Sequence, residues 1–156
     1  MRRPVKNRNI PQPDSQFSSV KLSRFVNYVM DSGKKELAGR IVYKAFDVIK
    51  EKTGNPNPLE VFDTAIKNAS PLMEVRSRRI GGANYQVPRE VSVNRKTALA
   101  MRWILEAARS RKGVPFYQAL AEELMAAYKN EGPAITKRDN THKMAEANKA
   151  FAHFAW

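Results

Sequence analysis

The chain of 156 residues has no cysteine, only two histidines, few carboxylates for its size and no long apolar run. Without cysteine there is no disulfide, no thiolate nucleophile and no zinc finger, and the composition fits a reducing compartment. HExxH, GxGxxG, P-loop and nucleophile-elbow patterns are all missing, so a catalytic centre has little to be built from. His142 lies four residues before Glu146, the spacing of a polar pair on a helix. Glu122 and Glu123 are adjacent, so on a helix they diverge by about 100° and do not converge on one bond. No enzyme, cofactor or metal site is expected. Apolar runs fall short of the roughly 18 residues that span a bilayer. The start, Met1-Arg2-Arg3-Pro4-Val5-Lys6-Asn7, leads into polar residues rather than a signal-peptide core. A soluble, non-secreted chain is expected.

What is abundant is positive charge. Lys and Arg number 28 against 15 Asp and Glu, a net charge of +13, which suits a polyanionic partner or a negatively charged membrane surface, nucleic acid being the favoured of the two. Residues 1–24 and 72–96 hold nine of those thirteen charges, so the excess is directed rather than spread. No linker divides the middle, and a single domain over 1–156 is expected.

Residues 1–16 contain Pro4, Pro11 and Pro13 among Arg2, Arg3, Lys6 and Arg8, a composition that suits a flexible basic extension. Helical spacing follows: Leu22, Phe25, Val26, Val29 and Met30 in a first helix, then Leu37, Ile41, Ala45, Val48 and Ile49 in a second ending near Gly54. Asn57, Pro58 and Glu60 read as cap, first helical residue and capping box of a third helix that buries Val61, Phe62, Ala65, Ile66 and Ala69. Asn94 is expected to cap a fourth, running to about Ser110, with Ala100, Trp103, Ile104, Leu105, Ala107 and Ala108 inside. A fifth carries Phe116, Ala119, Leu120, Leu124 and Ala127, and Gly132-Pro133 opens a sixth segment that runs to about Lys149. The expected fold is mainly α, one domain of about six helices with a protruding two-stranded β-hairpin arm.

That arm, residues 72–91, is the most informative stretch. Glu74, Arg76 and Arg78 alternate onto one strand face, Gly81-Gly82 supplies a two-residue turn, and Tyr85, Val87 and Arg89 return. This register sets Arg78 against Tyr85, Arg76 against Val87 and Glu74 against Arg89, predicting a cation–π contact and an ion pair, whereas a four-residue loop would set Arg76 against Arg89, a disfavoured like-charge pair. Pro88, with no N–H to give, suits an edge. An ordinary surface hairpin with solvated arginines is the plainer reading. On the fourth helix, Arg95, Arg102 and Arg109 fall within about 40° of one another, forming either a nucleic-acid-facing stripe beside the arm or a solvated face with an Arg102–Glu106 pair. In the tail, residues 150–156, the aromatics Phe151, Phe154 and Trp156 either dock back on the core or insert into RNA or a neighbouring protein.

The runs Arg76-Ser77-Arg78-Arg79-Ile80-Gly81-Gly82, Tyr85-Gln86-Val87-Pro88, Ala98-Leu99-Ala100-Met101-Arg102-Trp103 and 144–153 closely resemble the bacterial-type ribosomal protein seven family of the small subunit. The likeness covers essentially the whole chain. It implies a cytoplasmic or organellar ribosomal protein that binds the three-prime major domain of small-subunit ribosomal RNA, starts assembly of the subunit head and lies at the transfer RNA exit site beside the messenger RNA channel. Protein eleven of the same subunit would meet its C-terminal part. RNA-binding residues would be Arg2, Arg3, Lys6, Arg8, Lys34, Lys35, Arg76, Arg78, Arg79, Arg95, Lys96, Arg102, Arg109, Arg111 and Lys112. Arg79, Gly81, Gly82, Asn84, Tyr85, His142, Lys143 and Lys149 would lie toward exit-site transfer RNA and messenger RNA. Arg89 stands where the family commonly has an apolar residue, and Phe154-Ala155 replaces the usual Tyr-Arg before Trp156. An architectural DNA-binding protein with a β-arm is the alternative, although such arms usually carry a proline wedge at the tip, and here the tip is Gly81-Gly82-Ala83-Asn84.

Overall fold

The computed structural model describes residues 11–154. Its elements are α1 (Val20–Val29), α2 (Lys35–Thr53), α3 (Pro58–Ala69), β1 (Met73–Ile80), β2 (Ala83–Glu90), α4 (Val93–Ser110), α5 (Phe116–Tyr128), α6 (Pro133–Ala147) and a closing 3-10 segment (Lys149–Phe154). The sixth helix therefore stops two residues short of its expected end and the chain tightens. The fold is mainly helical with one antiparallel hairpin, as expected.

The core lies where α5 packs against α2, α3 and α4. Phe25 meets Phe62 edge-on at 5.1 Å between centroids, and Phe46 meets Phe62 at 5.9 Å, so three helices share one aromatic cluster. Each such ring, fully buried, contributes about 1.5–3 kcal/mol. The apolar sets expected for α1, α3 and α5 are those the core uses, with Met30 and Phe116 packed at its margin.

Three local expectations are corrected. On α2 the buried face is Ala38, Val42, Ala45, Phe46 and Ile49, whereas Leu37 is exposed and Ile41 is at the edge. Phe46 is the largest apolar side chain of that helix, and burying it against Phe62 rotates the helix by about one residue. The α4 cap is Ser92 rather than Asn94, which sits inside the first turn, and Met101 takes an inner position while Trp103 is only partly covered. Asn57 does precede α3, but its side chain makes no cap hydrogen bond, so the capping box is not formed. Pro58 still starts that helix without an orphan N–H.

Polar latches join the helices. Asn68 Nδ2 donates to the carbonyls of Ala127 and Tyr128 at the end of α5, both at 3.0 Å, covering acceptors that a helix C-terminus leaves open. Arg138 donates in turn to the Asn68 carbonyl at 2.6 Å. The end of the expected flexible extension is tied down at Asp14, which accepts the Tyr43 hydroxyl at 2.7 Å and the Gln16 and Phe17 amides. The rest of that extension, with Arg2, Arg3, Lys6 and Arg8, lies outside the described residues.

Candidate nucleic-acid interface

The arm begins with its turn. Gly81 (φ 57°) and Gly82 (φ 88°) both occupy the left-handed region, the backbone of a two-residue hairpin whose twist matches its strands. The resulting register pairs Glu74 with Arg89, Arg76 with Val87 and Arg78 with Tyr85, as the sequence predicts. The predicted Glu74–Arg89 ion pair is not formed. Glu74 is buried at the foot of the arm, one oxygen accepting from Arg76 at 2.9 Å and the other from Arg95 of α4 at 2.6 Å, so both are taken while Arg89 stays exposed.

Glu74 thereby bolts the arm to α4. A second anchor comes from α6, where His142 Nε2 accepts the Leu72 N–H at 2.9 Å. His142 must carry its proton on Nδ1 to do so. The Val91 amide donates to the Leu72 carbonyl at 3.1 Å and extends the ladder by one rung into the body. Val87 and Pro88 are buried at this foot, whereas Arg79, Gly81, Gly82 and Asn84 at the tip are exposed.

Tyr85 faces the closing segment, its ring 5.3 Å from Phe151 and 5.5 Å from Phe154 between centroids. The tail aromatics thus dock on the arm rather than on the helical core; Trp156 lies outside the described residues. The residues expected near the exit site divide accordingly. Arg79, Gly81, Gly82 and Asn84 form the tip, Tyr85 and the segment that begins at the exposed Lys149 support it, and His142 with exposed Lys143 lies toward the foot. Six residues of strand separate Leu72 from the partner of Tyr85, roughly 20 Å.

Along α4, Arg95 is half-buried and neutralised by Glu74, but Arg102 and Arg109 are exposed and make no ion pair among the described residues. Glu106 does not take Arg102; both its oxygens accept from Lys137 of α6, at 2.6 and 2.7 Å. Lys34, Lys35 and Lys112 are exposed cations, and Lys96 is half-buried. Arg111 is held by two carboxylates, Glu122 at 2.5 Å and Glu123 at 3.5 Å, so its charge is largely balanced within the chain. Among the described residues of the expected set, the cations that make no ion pair are Lys34 and Lys35 at the start of α2, Arg79 at the arm tip, Lys96, Arg102 and Arg109 on α4, and Lys112 just after it.

A family model described as ribosomal protein S7p/S5e matches residues 1–149. The chain belongs to that family. It is 56% identical over 155 residues to the small ribosomal subunit protein uS7 of Thermotoga maritima, covering 99% of both chains. The protein of the same name from Dechloromonas aromatica is 56% identical over 153 residues, 98% of this chain and 97% of that one. That of Endomicrobium trichonymphae is 52% identical over 154 residues, 99% and 96%.

In this S7p/S5e chain two structural features escaped sequence reasoning. Glu123 is fully buried on α5, where Oε1 accepts the Ala134 N–H at 3.2 Å at the start of α6 and Oε2 has no hydrogen-bond partner. Burial pushes its carboxyl above the ordinary glutamate value, outweighing the Ala134 bond and nearby Arg111. Its position one turn from the inner Ala119 and one residue from the inner Leu124 was the available signal. The other is the pair Leu72 and Val93, apolar yet exposed at the two ends of the arm, which no helical or strand period selects. Among the described residues no cluster of His, Cys, Asp and Glu is arranged to hold a metal, and no helix is long and apolar enough to cross a membrane.

Proposed function

We propose that this chain is a structural constituent of the small ribosomal subunit, where it binds the three-prime major domain of the ribosomal RNA directly and nucleates the head. The observation that carries the reading is a basic hairpin locked at its foot to α4 and α6, beside the exposed Arg102 and Arg109. Rigid placement matters because phosphate contacts fix register, and a cation on a loose arm loses affinity to ordering entropy. Family membership and near-full-length likeness to proteins named for the small ribosomal subunit support the same reading.

The tip faces the transfer RNA exit site beside the messenger RNA channel, because Gly81, Gly82 and Asn84 offer backbone groups and one amide where an approaching strand needs room rather than charge. The C-terminal part meets protein eleven. The work is binding and placement, not catalysis. Hydroxyl-radical footprinting of the full chain on protein-free small-subunit ribosomal RNA tests this: protection is expected within the three-prime major domain. Protection scattered over all domains, or none, contradicts it.

A further inference from the structure

At the foot of the arm, a cavity of about 590 Å³ opens between α1, α3, α4 and α6. Its size falls in the range of sites that hold a small organic group. Ile66, Leu72 and Val93 give it an apolar wall, and Leu72 and Val93 are exposed by 62% and 79%. Such exposure leaves substantial apolar surface in water next to charge. Leu72 does not hang loose: its N–H is held by His142 and its carbonyl by the Val91 amide.

The rim is cationic. Lys21, Lys67 and Lys96 line it, and its one carboxylate, Asp63, is occupied by Lys21 at 3.1 Å. Lys67 and Lys96 make no ion pair among the described residues, and Arg138 is turned to Asp139 and the Asn68 carbonyl. An apolar wall flanked by two unbalanced lysines matches an apolar ring carried on an anionic backbone. A-form duplex RNA keeps its bases stacked inside and offers sugars and phosphates, so it has nothing to set on Leu72 and Val93. An unpaired strand splays its bases onto apolar platforms. A protein segment would have to place a carboxylate beside an apolar side chain to answer both, and unpaired bases that regain reactivity when Leu72 and Val93 are replaced by serine separate the two occupants.

We propose that this groove holds one unstacked base of single-stranded RNA, its face on Leu72 and Val93 and its adjoining phosphates at Lys67 and Lys96. The inference rests on the ribosomal RNA reading above and adds a strand-type requirement to it.

The test compares the full chain with Leu72→Ser/Val93→Ser and with Lys67→Gln/Lys96→Gln, each titrated onto protein-free small-subunit ribosomal RNA over a salt series and probed for base reactivity. Both Leu72 and Val93 are exposed, so the serine pair keeps the wild-type melting temperature. It is expected to lose roughly tenfold in affinity with an unchanged salt slope. One or two unpaired bases should regain reactivity while backbone protection persists. The glutamine pair should instead flatten the slope by about one and a half units. Wild-type affinity and wild-type base protection in the serine pair would overturn the groove alone. If the wild-type chain does not bind this RNA, the ribosomal RNA reading falls and the groove with it.

Discussion

Two buried carboxylates do different work in this chain. Glu74 gives each oxygen to an arginine, and the arginines belong to the arm and to α4, so one side chain couples two elements. Removing it as Glu74→Ala should lower stability by about 1–3 kcal/mol in urea unfolding, discounted because both arginines are partly solvated. Arg89→Ala should stay within about 0.5 kcal/mol, since its cross-strand carboxylate points elsewhere. Equal losses for the two would mean that Glu74 and Arg89 interact after all. Glu123 behaves differently because burial raises its pKa above the ordinary value near 4.5. A carboxyl raised on folding favours the folded state fully below its unfolded pKa, and that contribution is lost as pH rises through the folded value. Glu123→Gln, which keeps an acceptor for the Ala134 N–H, does not titrate. Its stability relative to wild type should therefore rise from pH 4.5 toward neutrality, with parallel curves contradicting the assignment.

At the scale of elements, the arm is a lever fixed at one end and supported along its length by the closing segment. The turn sets its shape: Gly81 and Gly82 have open space where a Cβ would project, so replacing both by alanine meets no clash and costs only the left-handed backbone, about 1–2 kcal/mol each. Hydrogen exchange should show faster opening of the amides of Arg79 to Tyr85, with the helical core unchanged. Loss of core protection would show that the arm is not an independent element. Tyr85→Ala removes the ring on which Phe151 and Phe154 rest. It should release the closing segment, read as faster exchange in Lys149–Phe154, and leave the fold intact.

At the scale of the whole molecule, the architecture was largely written in periodicity, because apolar residues on helices and alternation in the arm follow from packing alone. The arm register was legible because the rival four-residue loop would set Arg76 against Arg89, a like-charge pair, and the two-residue turn is the one formed. What was not legible depended on neighbours distant in sequence. Arg95 belongs to α4, yet competes for Glu74 against the residue directly across the strand, and no local rule ranks those partners. His142 finds the Leu72 amide seventy residues away rather than a partner on its own helix. The tail aromatics choose Tyr85 over the core for the same reason.

The central claim is that the unbalanced charge forms a surface for ribosomal RNA rather than for nucleic acid at large. Competition binding tests it most directly, with the three-prime major domain of small-subunit ribosomal RNA and random duplex DNA titrated against the full chain over a salt series. The account predicts a steep fall of log affinity with log salt for both, and at physiological salt a clear preference for the ribosomal RNA that Arg102→Ala weakens without lowering the melting temperature. Equal affinity for the two nucleic acids at that salt would contradict it and favour the architectural DNA-binding alternative.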